Sequence, residues 1–327
     1  MNPNEAQFLT MGVDIGGTNV ETAVVDSRGN IVESQRYPTK PEKGAGGVVE
    51  DVVSCVETCL KNVPQETRAV GVGVAGQVER ATGAVRFAPN LRWQEVPLGA
   101  QLERALNMPV FVLNDVRAAT VAEWYHGAGK GIDDLICVFV GTGVGGGIVS
   151  GGRLLEGCSN TAGEIGHMTV AVDGRPCRGP NIGCMEAYAG GWAIAERAQE
   201  AVQQDEKQGQ TILSKAGSIE EITAKVVGEA YHERDPLAIR IIEEAGHYLA
   251  AGVVGLVNAI NPCLLVLGGG IIDGIPELIQ LVERGVRERA LRAALEDLRI
   301  VKASFVSNAV AIGAATHARN KVMEGTP

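Results

Sequence analysis

The chain has 327 residues, and since one hydrophobic core rarely serves so many, we expect two domains. Its net charge of -10, with basic residues that do not cluster, argues against a surface that follows the phosphates of a nucleic acid. The N-terminus lacks a signal-peptide pattern and no long apolar run predicts a membrane span, so we expect a cytoplasmic protein with no membrane partner.

The first part of the chain alternates apolar strands with amphipathic helices. A short strand runs into the glycine turn DIGGTN, and two further strands complete a hairpin meander. Apolar residues at helical spacing mark the helices that follow. The predicted elements are strands at 11–13, 20–26, from 31, 70–74 and 110–113, helices at 46–62, 98–106 and 116–125, and a loop at 76–97.

A second unit with the same order of elements begins near Asp134. The segments GVDIGGTNVETAVVDSRGNIV and VFVGTGVGGGIVSGGRLLEG both read as strand, Gly/Thr turn, strand, polar glycine turn and strand. This weak internal repeat predicts an α/β protein of two similar lobes that face one cleft. The predicted elements beyond the repeat are helices at 192–204, 219–228 and 235–259, strands at 263–271 and 298–303, and a last helix from Asn308.

Three glycine-rich turns, Gly16–Thr18, Gly141–Gly143 and Gly268–Gly270, each follow an apolar strand. Without a Cβ atom the main chain approaches a polyphosphate closely and offers its N–H groups. None of the three has the Walker A or the dinucleotide pattern. A single turn of this kind could equally be a tight hairpin, whereas three together favour a bound nucleotide.

Two aspartates stand at the ends of predicted strands. Asp14 could orient a Mg²⁺-bound water beside the phosphates, or equally cap its own turn through the side chain. Asp115 ends a strand where α/β sheets tend to hold their sites, and it could accept the proton of an attacking hydroxyl. The competing interpretation of Asp115 is the N-cap of a helix that begins at Val116.

The region 160–188 concentrates acids, an imidazole and thiols. Glu164 and His167 are three residues apart and share one side in a turn or helical conformation. Together with Glu186 they could hydrogen-bond several hydroxyls of a sugar, although His167 alone could equally be structural.

Cys177 and Cys184 form a thiol pair in the same region. With His167 they offer three ligands of the types that zinc accepts, whereas a closed structural zinc site has four. The residues alone therefore leave the metal open.

Together these motifs resemble the ROK family of sugar kinases and related repressors, and within it the bacterial glucokinases. The resemblance covers almost the whole chain. It implies two actin-like (ribonuclease-H-like) lobes with ATP and sugar in the interdomain cleft, the N-terminal lobe at 1–115 plus 309–327 and the C-terminal lobe at 116–308. The segments that carry it are DIGGTN, GVGVAGQVE, NLRWQEVPL, LNDVRAA, GTGVGGGIVSGGRLLEG, AGEIGHM, GCMEAYAGG and LGGGI.

The resemblance implies an ATP-dependent hexose kinase, a glucokinase that forms glucose 6-phosphate, with Asp115 as the catalytic base. Family members are commonly homo-oligomers, so a dimer or tetramer is expected. The implied sugar contacts are Asn90, Asn114, Asp115, Glu164, His167 and Glu186. The residues implied to bind ATP and Mg²⁺ are Asp14, Gly16, Gly17, Thr18 and Asn19, then Thr142 and Gly143, and Gly268, Gly269 and Gly270 beside the adenosine.

One departure concerns zinc. The family motif reads Cys-x-Cys-Gly-x-x-Gly-Cys-x-Glu after a His, and here Gly179 and Pro180 replace its second Cys and the following Gly. Loss of one thiolate should weaken Zn²⁺ binding by His167, Cys177 and Cys184, unless water or another side chain such as Cys158 completes the site.

Two alternatives stay open within the resemblance. The first is a kinase of another sugar or polyol, such as N-acetylmannosamine, N-acetylglucosamine, allose or fructose, or one with a phosphoryl donor other than ATP. The second is a sugar-sensing regulator without catalysis. Family repressors carry a DNA-binding helix-turn-helix ahead of the kinase-like fold, and Asp14 opens the first turn too early in this sequence to leave room for one.

Overall fold

The computed structural model describes residues 8–325, which form two compact units. The first unit comprises the described residues up to Gly131, residues 154–163 and the chain from Ser307 onward. The second unit comprises residues 132–153 and 164–306. Each unit contains its own five-stranded sheet.

The first part of the chain supplies the strands and helices of the first unit. They are β1 (Leu9–Ile15), β2 (Asn19–Val25), β3 (Ile31–Pro38), α1 (Gly44–Lys61), β4 (Thr67–Val74), β5 (Gln77–Val78), β6 (Val85–Ala88), β7 (Trp93–Val96), α2 (Leu98–Leu106), β8 (Val110–Asn114) and α3 (Asp115–His126).

The second part supplies the second unit and the helix that ends the chain. Its elements are β9 (Leu135–Val140), β10 (Val144–Ser150), β11 (Arg153–Leu154), α4 (Glu186–Ala189), α5 (Gly191–Gln204), α6 (Gln210–Ala216), α7 (Ala224–His232), α8 (Pro236–Ile260), β12 (Leu264–Gly268), α9 (Gly270–Gly274), α10 (Glu277–Arg289), β13 (Arg299–Lys302) and α11 (Ala309–Met323).

The two sheets have the same plan. The order in the first is β3-β2-β1-β4-β8, and in the second β11-β10-β9-β12-β13. In each, a hairpin is antiparallel (β1 with β2, β9 with β10), and the other neighbour of the hairpin's first strand is parallel to it (β4, β12). The predicted α/β class and the internal repeat are therefore confirmed.

Helix α11 closes the first unit by packing on β1, β4 and α3. Gly12, Gly71 and Gly313 let the backbones touch, since a Cβ at any of them would collide with a carbonyl oxygen. Because α3 packs against α11, the first unit continues past the predicted lobe boundary at Asp115 as far as Gly131. The functional lobe boundary itself stays a prediction.

Two predictions of secondary structure were wrong. The segment predicted as a loop at 76–97 contains the small antiparallel sheet β5-β6-β7. These strands are only two to four residues long and are separated by Gly83 and Pro89, so the turn residues hid them. The helix expected at 219–228 begins instead at Ala224, where the Thr223 hydroxyl accepts a hydrogen bond from the Val226 N–H at 3.3 Å.

The helices of the described chain are too short or too polar to span a bilayer. Even α8, with 25 residues, does not combine the length and apolarity that a bilayer span requires. No helix within residues 8–325 could cross a membrane.

Candidate active site

In the first unit the predicted acids meet at one edge of the sheet. Strand register aligns Asp14 with Gly73 and Gly73 with Leu113, and one step further Ile15 with Val74 and Val74 with Asn114. The carboxyl ends of the parallel strands β1, β4 and β8 therefore coincide. Sites in α/β sheets lie at this edge.

The Gly16–Asn19 turn is closed by a hydrogen bond from the Gly16 N–H to the Asn19 carbonyl at 3.0 Å. Thr39 holds it from outside: its N–H donates to the Thr18 carbonyl at 2.8 Å and its hydroxyl to the Gly16 carbonyl at 2.7 Å. Asn90 lies directly against the turn, where a Cβ on Gly17 would be 3.1 Å from the Asn90 Cβ. The structure thus places both Asn90 and Thr39 beside the first turn. No local sequence motif predicted the contact of Thr39.

Asn114 and Asp115 have different positions at the start of α3. Asn114 is the N-cap of α3, because its Oδ1 accepts hydrogen bonds from the N–H groups of Val116 (3.0 Å) and Arg117 (3.2 Å). Its Nδ2 donates to the Gly76 carbonyl at 3.3 Å. The interpretation of Asp115 as the N-cap is therefore wrong; Asp115 is the first helical residue, and its Oδ1 accepts from the Val116 N–H at 2.9 Å.

Asp14 carries a perturbed carboxyl group. Burial, with the nearby charges of Asp115 and Glu21, raises its pKa from 3.8 to about 7, while Arg36 acts in the opposite direction. Two carboxylates that repel each other beside a glycine turn are a donor set that suits a hard divalent cation, because the cation would replace the proton on Asp14. The residues therefore fit the predicted Mg²⁺ with its nucleotide.

The second unit places two of the predicted glycine turns side by side. The Gly141 N–H donates to the Gly143 carbonyl at 2.9 Å and closes the turn between β9 and β10. Gly268 pairs with Phe139 in the sheet, and Gly269, with φ of +93°, leaves no room for a Cβ against Val140. The Gly268–Gly270 turn therefore flanks the Gly141–Gly143 turn at the carboxyl ends of β9 and β12.

Glu186 lies against the second glycine turn. Its Oε2 accepts from the Val144 N–H at 2.8 Å, and its Oε1 from the Trp192 indole N–H at 3.1 Å. Gly143 is in contact with this carboxylate and has no space for a side chain. Trp192 was not among the predicted site residues, because nothing in the sequence links an indole to an acid six positions earlier.

Glu164 directly precedes a single 3₁₀ turn at Ile165–His167, and His167 ends that turn, as the glycines around them predicted. The His167 N–H donates to the Glu164 carbonyl at 3.2 Å, and both side chains are exposed. Gly166 packs closely against the Val144 carbonyl. The 3₁₀ turn therefore contacts the residue that follows the Gly141–Gly143 turn. Within this unit, Glu164, His167 and Glu186 therefore all lie around Val144.

His167, Cys177 and Cys184 bring their ligand atoms within 4.8 Å of one another. The His167 Nδ1 is 3.3 Å from the Cys177 sulfur. A Cβ built on Gly179 would lie 3.5 Å from that same nitrogen and 4.0 Å from the sulfur, so position 179 faces the cluster. The residues fit three of the four ligands of a closed zinc site, and the missing one corresponds to Gly179. Cys158 as a substitute ligand stays a prediction.

Comparison with known proteins gives consistent results. The family model described as "ROK family" matches residues 10–321. The chain is 36% identical to the glucokinase of Streptomyces coelicolor over 266 residues, 81% of this chain and 83% of that protein. It is 32% identical to the glucokinase of Halalkalibacterium halodurans over 309 residues, 93% and 92% of the two chains.

A solved structure of a ROK family glucokinase from Streptomyces griseus, in complex with glucose and AMPPNP, superposes with a TM-score of 0.82 at 33% identity. The match covers 95% of this chain and 99% of that one. The predicted fold of two actin-like lobes is thereby confirmed.

More distant matches have other functions. The N-acetylglucosamine repressor of Escherichia coli is 27% identical, over 97% of this chain and 77% of the repressor. A Listeria monocytogenes structure assigned as an N-acetylmannosamine kinase matches with a TM-score of 0.78 at 26% identity, over 98% of this chain and all of that one.

Proposed function

We propose that this chain, which belongs to the ROK family, is a glucokinase that transfers the γ-phosphoryl group of ATP to the 6-hydroxyl of glucose. Its class, ATP-dependent sugar kinase, follows from the family and from the glucokinase relatives. The choice of glucose is the finer step, and it is supported by the relatives of 32 to 36% identity and by the glucose-bound structure.

The observation that carries the mechanism is the division of roles between Asn114 and Asp115. Because Asn114 caps α3, the Asp115 carboxylate does not act as the helix cap. It lies at the carboxyl edge of the sheet. As general base it accepts the proton of the attacking hydroxyl while the phosphoryl group leaves the nucleotide. Asn114, already fixed by its cap, and Asn90 beside the first turn would contact the sugar.

Asp14 and the turn Gly16–Asn19 would hold the phosphates and Mg²⁺ in the first unit, with Thr18 exposed at the turn. Bound Mg²⁺ supplies charge neutralisation of the phosphoryl oxygens. The chain's own contribution is to direct backbone N–H groups and the half-buried carboxyl group of Asp14 at that position, which costs no reorganisation during the reaction.

The second unit would supply the remaining contacts. Glu164, His167 and Glu186 offer acceptors and an imidazole to further sugar hydroxyls. Thr142 and Gly143 would contact the phosphates, and Gly268, Gly269 and Gly270 the adenosine. His167 would serve twice, with Nδ1 toward the cysteines and Nε2 toward a hydroxyl.

Zinc, where bound, would be held by His167, Cys177 and Cys184. Its role there would be structural, because His167, Cys177 and Cys184 would hold it and it would in turn restrain the orientation of His167. The proton transfer at Asp115 does not involve this group.

A second candidate is a kinase of another sugar, favoured by the match to the N-acetylmannosamine kinase. A non-catalytic regulator is favoured by the match to the repressor. The paired acids Asp14 and Asp115, which catalysis uses and sugar sensing does not, favour the enzyme. A homodimer or homotetramer and a cytoplasmic location stay predictions.

The deciding experiment is a panel of sugars with MgATP and purified protein, with ADP formation as the readout. Glucose should give the highest kcat/KM, by about tenfold or more over N-acetylmannosamine, N-acetylglucosamine, allose and fructose, since one lost sugar hydrogen bond is worth that factor. A higher value for another sugar would replace glucose, and no turnover with any of them would favour the regulator.

A further inference from the structure

The Glu186 carboxylate is held by two N–H donors of the protein. The Val144 backbone N–H lies 2.8 Å from Oε2, and the Trp192 indole N–H lies 3.1 Å from Oε1. An ionised carboxylate has about four acceptor positions, so about two remain for a ligand. Both donors are N–H groups, so each oxygen of Glu186 is used as an acceptor.

Trp192 is itself fixed from several directions. Its backbone N–H donates to the Thr142 carbonyl at 3.0 Å, which fastens the start of α5 to the second glycine turn. Its ring packs on the buried cluster that contains Cys184 and Tyr188. The Arg178 guanidinium lies over the ring at 4.5 Å from its centroid, a cation–π contact.

These contacts join the carboxylate to the Gly141–Gly143 turn through two routes. One runs from Glu186 to the Val144 N–H, directly after the turn, and the other from Glu186 through Trp192 to the Thr142 carbonyl. Gly143 and Gly190 leave no space for a side chain at either position, so Glu186 packs closely against the turn. Trp192 joins this arrangement through its side chain, although it is neither a predicted ligand contact nor part of the turn.

We propose that Trp192 is a positioning residue: its indole N–H fixes the Glu186 carboxylate for the sugar and couples it to the second phosphate-binding turn. This role rests on the proposed sugar contact of Glu186. Without the indole N–H, Glu186 keeps one fixed donor and can rotate about its last torsion. Sugar hydroxyls would then meet a mobile acceptor, and Glu186 would be linked to the turn only through the Val144 N–H.

The first test is Trp192→Phe, which keeps an aromatic ring for the packing and removes the N–H. A hydrogen bond to a charged group is worth a factor of about 10 to 100, so the KM for the sugar should rise at least about tenfold. The matched control is Trp124→Phe in α3, an aromatic residue with no such hydrogen bond in the residues described, whose KM should stay within about twofold of wild type.

The second test is a double-mutant cycle with Glu186→Gln. The Gln amide has one acceptor oxygen and one NH₂ group, so in the wild-type background its NH₂ must face an N–H donor. In the Trp192→Phe background the NH₂ group can point toward the position where the indole N–H had been, because no donor remains there. Glu186→Gln should therefore raise the sugar KM several-fold less in Trp192→Phe than in wild type, an interaction that a purely structural role of Trp192 would not produce.

The cycle is run with whichever sugar the wild-type enzyme phosphorylates best, so an incorrect choice of glucose leaves it valid. A normal wild-type enzyme with an unchanged KM in Trp192→Phe, or an equal Glu186→Gln effect in both backgrounds, overturns the role of Trp192 alone. A wild-type protein that phosphorylates no sugar of the panel overturns the proposed function first, and this inference with it.

Discussion

Asp14→Asn removes a charge that the fold disfavours. Burial, with the nearby charges of Asp115 and Glu21, raises the Asp14 pKa from 3.8 to about 7. Because the folded state holds this proton more tightly than the unfolded state, stability falls as pH rises from about 4 to about 7 and then levels off. The shift of about 3 pH units corresponds to at most about 4 kcal/mol, and since solvent still reaches part of Asp14 we expect about 2 kcal/mol.

The assay is thermal unfolding of wild type and Asp14→Asn without nucleotide or Mg²⁺, at pH 5.5, 7 and 8.5. At pH 8.5 the variant should be about 6 °C more stable, at about 3 °C per kcal/mol for a unit of this size. At pH 5.5 the gain should be about half as large, because the penalty is then only partly developed. Sugar phosphorylation by the variant should be lost.

The control is Asp26→Asn, because the folded state favours the ionised form of Asp26. Burial acts to raise the Asp26 pKa. Hydrogen bonds from Asn30 and Arg28 outweigh burial, so the Asp26 pKa is lowered. Asp26→Asn should therefore lower the Tm at pH 7 and above, opposite in sign to Asp14→Asn. A less stable Asp14→Asn at pH 8.5, or a gain that does not vary with pH, would refute the assignment of a raised pKa to Asp14.

Three further outcomes follow from individual residues. Glu164→Ala should raise the KM for the sugar about tenfold with a smaller effect on kcat, and an unchanged KM would count against a sugar contact. Gly179→Cys should retain more zinc after dialysis than wild type, measured as metal content per chain, because its Cβ faces His167 and Cys177; equal metal content would contradict this. Burial, with Lys321 and Arg117, lowers the His317 pKa to about 4, so wild type should lose stability as pH falls from about 6.5. His317→Gln should lose less stability than wild type between pH 7 and 5. An equal loss would show that protonation of His317 does not contribute to the loss of stability.

The elements with a regular apolar period could be predicted well. Helix α2 has the predicted bounds, and α8 differs from its prediction by one residue at each end. The internal repeat predicted two sheets of the same plan, because strand, glycine turn and strand in one order favour the same hairpin. The small sheet β5-β6-β7 could not be predicted, since its strands are too short to show an alternation and are held by pairing with one another.

For the site, residue type indicated the groups but not their partners. The sequence left open whether Asp115 caps its helix; the answer depends on the rotamer of the preceding Asn114, a local competition between two equally suitable side chains. The contacts of Thr39 with the first turn and of Trp192 with Glu186 are tertiary. No spacing rule links those residues, so the sequence alone could not predict these contacts.

The most direct measurement concerns Asp115. Asp115→Asn keeps the size of the side chain and its place in the first turn of α3, and it removes the base. If Asp115 accepts the hydroxyl proton, kcat with glucose and MgATP should fall by about a hundredfold or more, while the glucose Kd from calorimetry stays within about threefold of wild type. A variant with kcat within about tenfold of wild type would contradict the assignment of Asp115 as the general base.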